Sequence, residues 1–224
     1  MSFNALGEQP EARLLLAAAV KEGPAHAYLF HGPAGVGKRA AARTFAAELL
    51  GEERRVLEGT HPDLFLLEAV GEMIRIDEVR ALHRDLYMRP YEAERRVYLV
   101  LDAHLLNDDA ADALLKDLEE PPSYAVIVLV ADELGPIPPT IRSRCQLVPF
   151  RRLRGGVIRE LLEQRAPELS ETEVRALARV SGGRLDHVER LLDPEARARR
   201  DELIRVARAV YADDDLDPAE AAAA

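Results

Sequence analysis

The sequence predicts an α/β domain built on a parallel sheet with helices on both faces, followed by a small all-α domain. Three observations carry this. Short apolar, β-prone runs alternate with helical patterns from Ala27 to Phe150, and such alternation requires right-handed crossovers between parallel strands. Two of those runs, Val97 to Leu101 and Tyr124 to Val130, are continuously apolar, as befits strands covered on both sides. After Phe150 only helical spacing remains, enough for three or four short helices.

The elements follow in order. Glu11 to Lys21 places Leu14, Leu15, Ala18 and Ala19 at helical spacing and stops at Gly23-Pro24. Ala27 to Phe30 is a strand that runs into a glycine-rich turn holding Gly32, Pro33, Gly35 and Gly37. From Lys38 to Leu50, Ala41, Phe45 and Leu49 form one apolar line and Ala42, Ala46 and Leu50 a second. Two adjacent lines make the broad buried face of a helix lying on a sheet. Asp63 to Ala69 is a short strand after a His-Pro turn, and Ile74 to Met88 a helix with Ile76, Val79, Leu82 and Leu86 inward and Asp77 as N-cap. Asn107, Asp108 and Asp109 suit a helix N-terminus by capping and dipole. That helix turns Ala110, Ala111, Leu114, Leu115 and Leu118 inward and ends at Pro121-Pro122. Gln146 to Phe150 is a weaker strand, and Ser170 to Glu173 reads as a capping box. The tail from Asp213, acidic and then alanine-rich, is expected to be frayed or disordered.

The chemistry starts at GPAGVGK, between strand and helix. Glycines let successive backbone N–H groups curl around a phosphate, and the helix N-terminus adds its positive end. Lys38 follows the loop as a phosphate ligand should, whereas the next position, where a Ser or Thr hydroxyl holds magnesium, is Arg39. A guanidinium has only donors and cannot bind a metal. The alternative is a tight strand-to-helix turn with a lysine behind it. Asp102, ending the strand YLVLDAH, stands where a nucleotide hydrolase puts its magnesium carboxylate, or else caps the next turn. Ala103, beside it, can neither orient nor deprotonate water.

Composition narrows the class. The net charge of −10 argues against a protein that grips nucleic acid through a strongly basic surface. No apolar run reaches the ~18 to 20 residues that span a bilayer, and the N-terminus lacks the basic start and apolar core of a signal peptide. One cysteine rules out an internal disulfide framework and a multi-cysteine zinc site. A cytoplasmic location fits all of this. Of the basic residues, only Lys21, Lys38 and Lys116 are lysines, so lysine is kept after the glycine loop while arginine replaces it nearly everywhere else.

Several stretches resemble the δ′ subunits of the bacterial DNA polymerase III clamp loader, in the AAA+ superfamily. They are HAYLFHGPAGVGK, GTHPDLFLLE, DAHLLNDDAADALLKDLEEPPSYAVIVLVA and IPPTIRSRCQLVPF, spanning Asn4 to Phe150, with weaker likeness in LARVSGGRLDHVERLL. The resemblance implies a P-loop AAA+ domain over residues 1–152 and a helical lid over 153–192. Residues 193–224 would be the absent or truncated start of a collar domain. It implies a stator that helps load the sliding clamp on primed DNA, beside γ/τ motor subunits and δ, as a component of the polymerase holoenzyme. The residue it marks for catalysis is Arg144, in Ser143-Arg144-Cys145, as an arginine finger reaching a neighbouring subunit's ATP. A planar guanidinium offers bidentate donors to phosphate. The bland reading of Arg142 and Arg144 is surface ion pairing.

The degenerate nucleotide site would comprise Gly32, Pro33, Gly35, Gly37, Lys38, Arg39 and Asp102, open to passive ATP or ADP binding and without efficient hydrolysis. The cysteine module of motor subunits is missing from the interval GEERRVLEGT, so no zinc is expected. The strand ends in Val130-Ala131-Asp132 where a motor would place Thr or Asn, which implies that γ-phosphate sensing is lost. In the lid, His187 falls at the sensing-arginine position, with Arg184 and Arg190 as substitutes. His31, His61, His83 and His104 have no metal-ligand spacing, and Cys145 is expected to be a small buried residue. The alternative reading is a working motor-type ATPase using Lys38 and Asp102.

Overall fold

Apolar side chains alternate between the two faces of each central strand, and this alternation sets the layers of the molecule. A computed structural model describes residues 9–69, 71–196, 198, 199, 202, 203, 205 and 206. The chain divides into two compact units, Met1–Leu153 and Arg154–Ala224.

Among the described residues the first unit holds five strands: β1 (Ala27–His31), β2 (Leu64–Leu67), β3 (Arg96–Val100), β4 (Ala125–Ala131) and β5 (Gln146–Pro149). They pair in parallel in the order β2-β3-β4-β1-β5. Six helices cover the sheet: α1 (Pro10–Glu22), α2 (Lys38–Leu50), α3 (Glu53–Leu57), α4 (Ile76–Leu86), α5 (Asp108–Glu119) and α6 (Pro139–Arg142). Tyr28 and Phe30 of β1, Val97 and Leu99 of β3 and Val126, Val128 and Val130 of β4 pack against α1, α2 and α3. Ala27, Leu29, Tyr98, Val100, Ile127 and Leu129 face the other way, onto α4, α5 and α6. Phe45 of α2 anchors the first layer edge-on to Tyr28, with ring centroids 5.0 Å apart. The continuous apolar runs are the central strands, buried along their whole length. The edge strands β2 and β5 leave Leu66 and Leu147 exposed.

Local chemistry sets the boundaries. Asn107 caps α5 as expected, its Oδ1 accepting from the Ala110 amide at 2.9 Å. The expected cap at Asp77 is not formed. Arg75 is the N-cap of α4, and Glu78 reaches back to accept from its amide at 3.1 Å, so Asp77 sits in the first turn. That helix is shorter than its periodicity suggested because Ile74 is drawn into a parallel bridge with Leu106. The short helices α3 and α6 were not legible as helices; each spans barely a turn, too short for a periodic signal.

Asp63, of the His-Pro-Asp stretch, is fully buried. Its carboxylate accepts from the amides of Tyr91, Glu92 and Ala93 at 2.7 to 2.9 Å and so pins the loop before β3. Burial alone would raise the pKa of this group. The three amides and the Arg96 charge outweigh burial and hold it below the ordinary carboxylate value.

The second unit contains α7 (Gly155–Arg165), α8 (Glu171–Ser181) and α9 (Leu185–Leu192), with Ile158, Leu162, Val174 and Val188 buried. The capping box at the start of α8 is formed, Ser170 Oγ accepting from the Glu173 amide and Glu173 from the Ser170 amide. Gly182 closes the helix in the left-handed region, at φ 59°. The acidic, alanine-rich tail lies outside the described residues.

Candidate functional site

A parallel sheet gathers functional loops at the carboxyl ends of its strands. Here β4 lies between β3 and β1, so the segments leaving these three strands are neighbours. The glycine loop follows β1, Asp102 follows β3, and Asp132 follows β4. The last register pair of β1 and β4 is His31 with Ala131, which brings Gly32 and Asp132 alongside each other.

The loop has the backbone of a phosphate cradle. Gly32, Gly35 and Gly37 all have positive φ, and Gly37 is the N-cap of α2. Gly32 has a second reason to lack a side chain: a Cβ there would lie 2.1 Å from the Phe150 carbonyl oxygen. That close approach follows from the backbone bond, 2.7 Å long, in which the Phe150 amide donates to His31. Val36 is buried and fixes the loop to the core.

Lys38, the first residue of α2, points back into its own loop. Its ammonium donates to the carbonyls of Gly32 and Pro33 at 2.7 and 2.6 Å and pairs with the Asp132 carboxylate at 2.8 Å. The lysine side chain is 3% exposed and that of Asp132 37%. The Asp132 amide in turn donates to His104 Nδ1 at 3.3 Å. His31, partly buried and beside the Lys38 charge, has its imidazolium form disfavoured, first by burial and then by Lys38.

Arg39 and Asp102 form the second ion pair of the site, and Arg39 also lies near Glu68. Asp102 has φ 58°, the one non-glycine residue with positive φ among those described. The Arg39 guanidinium takes one acceptor position of this carboxylate and offsets its charge. Magnesium therefore does not fit this donor set: the hydroxyl position is Arg39, and the carboxylate position is neutralised by that same arginine. Ala103 is buried and apolar at the place where a hydrolase would activate water. The structure thus brings Gly32, Pro33, Gly35, Gly37, Lys38, Arg39 and Asp102 together at the carboxyl end of the sheet.

Arg144 belongs to a different segment, the turn between α6 and β5. Its guanidinium donates to the Thr140 carbonyl at 2.9 Å and pairs with Glu119 at the end of α5. The side chain is 33% exposed and that of Glu119 half exposed. Cys145 beside it is only partly buried, not enclosed as expected, yet burial still pushes its thiol up to about 12.

In the helical unit, Arg184 and Arg190 both reach Asp186, the former through two bonds of 3.0 and 2.6 Å. The Arg184 contact, helped by the His187 amide, lowers the Asp186 carboxyl to about 2. Among the histidines, His61 Nδ1 accepts from the Asp63 amide. His83 Nδ1 lies 2.6 Å from the buried carboxylate of Asp117. Burial raises the Asp117 carboxyl, against the pull of His83. Among the described residues no group of three His, Cys, Asp or Glu side chains converges as metal ligands, and no helix is long and apolar enough to cross a membrane.

The sequence marks the strand end Val130-Ala131-Asp132 as a departure from the Thr or Asn of a sensor, but not the partnership of Asp132 with Lys38. The available signal was a carboxylate, Asp132, directly after a wholly apolar strand. Without the strand order nothing in the sequence places it against the loop.

Comparison with known proteins places these features. Residues 8–154 match the family described as "DNA polymerase III, delta subunit". DNA polymerase III subunit delta' of Pseudomonas aeruginosa is 34% identical over 197 residues, 80% of this chain and 60% of that protein. The corresponding Bacillus subtilis subunit is 31% identical over 92% of this chain and 66% of its own length. Subunit tau of Bacillus subtilis is 29% identical, covering 85% of this chain and 37% of that protein. The chain thus spans about two thirds or less of these relatives. Among solved structures, a gamma subunit-related protein of DNA polymerase III from Thermotoga maritima superposes with a TM-score of 0.51 at 24% identity, over 77% of this chain and 58% of that one. The Thermotoga maritima RuvB Holliday junction branch migration motor gives 0.64 at 19% identity, over 92% and 66%. At these identities the likeness is one of fold, the P-loop AAA+ arrangement anticipated from the sequence.

Proposed function

The chain belongs to the DNA polymerase III delta-subunit family, which its delta' relatives identify as that of the δ′ clamp-loader subunits, and on that premise we propose that it is a δ′-like stator. In this reading it works in the cytoplasm with γ/τ motor subunits and δ. Together they load a sliding clamp on primed DNA as part of the polymerase holoenzyme. It hydrolyses little or no ATP itself and presents Arg144 to ATP held by a neighbouring motor subunit.

One observation carries the reading: the charged residues of the nucleotide site are paired with each other. Lys38 is matched with Asp132 and Arg39 with Asp102, so nothing is left to hold a metal, and Ala103 can activate no water. Arg144 contrasts with this. Its carboxylate partner, Glu119, is half exposed, and a surface pair of this kind contributes only ~0 to 1 kcal/mol. A multiply charged phosphate can displace such a partner at small cost and accept both guanidinium donors. Arginine fingers contribute on the order of 10³ to 10⁵ in rate.

The test is a loader reconstituted with γ/τ and δ. Arg144→Ala should lower its ATPase at least tenfold while light scattering shows the same assembly. An unchanged ATPase rejects the finger, and failure of the chain to join the complex rejects the stator. The likeness to subunit tau favours the motor reading as the alternative. Steady-state ATP turnover by the isolated chain, abolished by Lys38→Ala, would establish it.

A further inference from the structure

We infer that Asp132 is the residue that decides the ligand specificity of the glycine loop: its carboxylate occupies Lys38 and bars phosphate from the cradle. The inference rests on reading the loop as an inherited nucleotide cradle, and it adds the device that keeps that cradle closed.

The argument begins with the valence of an ammonium group. Lysine has three N–H donors, and in this site the Gly32 carbonyl, the Pro33 carbonyl and the Asp132 carboxylate take one each. Two acceptors are neutral and belong to the loop itself. The third is the only formal charge among them. The lysine is withdrawn from water while its carboxylate partner reaches the surface, so an incoming phosphate has to take the place of the carboxylate. Asp132 thereby does within the chain what a bound anion would do.

Displacement is unfavourable for two reasons. The backbone that carries the carboxylate is held beside Lys38, because Ala131 is paired in register with His31 and the Asp132 amide donates to His104. A phosphate entering beside it would meet a like charge within a few ångströms, where repulsion in a partly buried site is substantial. The cradle itself is intact. The three glycines keep their left-handed conformations and Gly37 still opens a 13-residue helix. What opposes an anion is one side chain, and substitution can remove it.

Two features fix the form of the ligand that would bind. Asp102 is already paired with Arg39, so a cradle freed of Asp132 should take a nucleoside triphosphate without magnesium. Lys38, once freed of Asp132, is then the cation left to face the phosphates.

The experiment titrates the full chain with a fluorescent N-methylanthraniloyl derivative of ATP, in EDTA and in magnesium. It compares wild type, Asp132→Asn, Lys38→Ala and the double variant. Asp132→Asn should bind at least tenfold more tightly than wild type in EDTA, and Lys38→Ala should cancel the gain in the double variant. A Kd for Asp132→Asn within twofold of wild type overturns the inference, as does a gain that survives loss of Lys38. If Asp132→Asn melts below the assay temperature, Asp132→Thr serves the same comparison with a smaller neutral side chain. The outcome is separable from the stator reading, because the Arg144→Ala loader assay does not involve Asp132.

Discussion

The Lys38 ammonium lies 2.8 Å from the Asp132 carboxylate, across two loops that leave adjacent parallel strands. A second pair, Arg39 with Asp102, lies at the same carboxyl end of the sheet. Between them the two pairs use every charge that a nucleotide site of this architecture would turn toward phosphate and metal. Each has consequences that can be measured.

Metal dependence is the first. Arg39→Thr restores a hydroxyl and releases Asp102, but leaves Lys38 occupied. Arg39→Thr combined with Asp132→Asn should therefore bind the ATP derivative at least tenfold more tightly in magnesium than in EDTA. Asp132→Asn alone should show no such difference. Equal binding of the combined variant in both buffers would contradict the role given to the Arg39–Asp102 pair.

Gly32→Ala should be severely destabilising. The added Cβ would meet the Phe150 carbonyl oxygen at 2.1 Å, and φ there is +140°. The obstacle is backbone just past the end of β5, so a rotamer change cannot relieve it. We expect a loss of about 3 kcal/mol or more in denaturant unfolding, against a change within ~1 kcal/mol for Gly135→Ala, which meets nothing within 4 Å.

Asp63 ties stability to pH. Its carboxyl is depressed in the folded chain, because three amides and Arg96 outweigh burial. A depressed carboxylate contributes stability that is complete above its unfolded value, ~4. That stability disappears as pH falls through the folded value. Wild type should thus lose stability below about pH 4, and Asp63→Asn should show a flatter acid limb from a lower plateau. Asp63→Ala, leaving three amides without their acceptor and Arg96 without a nearby countercharge, should cost about 3 to 5 kcal/mol. Parallel acid limbs in wild type and Asp63→Asn would refute this.

Glu119→Ala probes the resting partner of Arg144. The pair is exposed, so the melting free energy should change by less than ~1 kcal/mol. A larger loss would mean that Arg144 is a structural anchor rather than an exchangeable surface group.

Cys145 offers a reporter of folding. Burial pushes its thiol up to about 12, so at pH 8 little of it is thiolate, the reactive form. Labelling by a disulfide reagent should be at least tenfold slower in the native chain than in denaturant. Comparable rates would place the thiol in water.

The sequence by itself determined the class and most of the elements, because both rest on local patterning. Continuous apolar runs became the buried central strands, helical periodicity found α1, α2, α4 and α5, and Asn107 and Ser170 announced their helices through caps that form as written. The glycine loop was equally legible, since its chemistry depends on neighbours in the chain. Only the tertiary structure decided the strand order that sets β4 between β3 and β1, and with it the pairing of Lys38 with Asp132 and of Arg39 with Asp102. Residues separated by 94 and 63 positions carry no local signature of their contact. Coulombic partnership depends on distance in space, and in a parallel sheet that distance follows from the order of the strands.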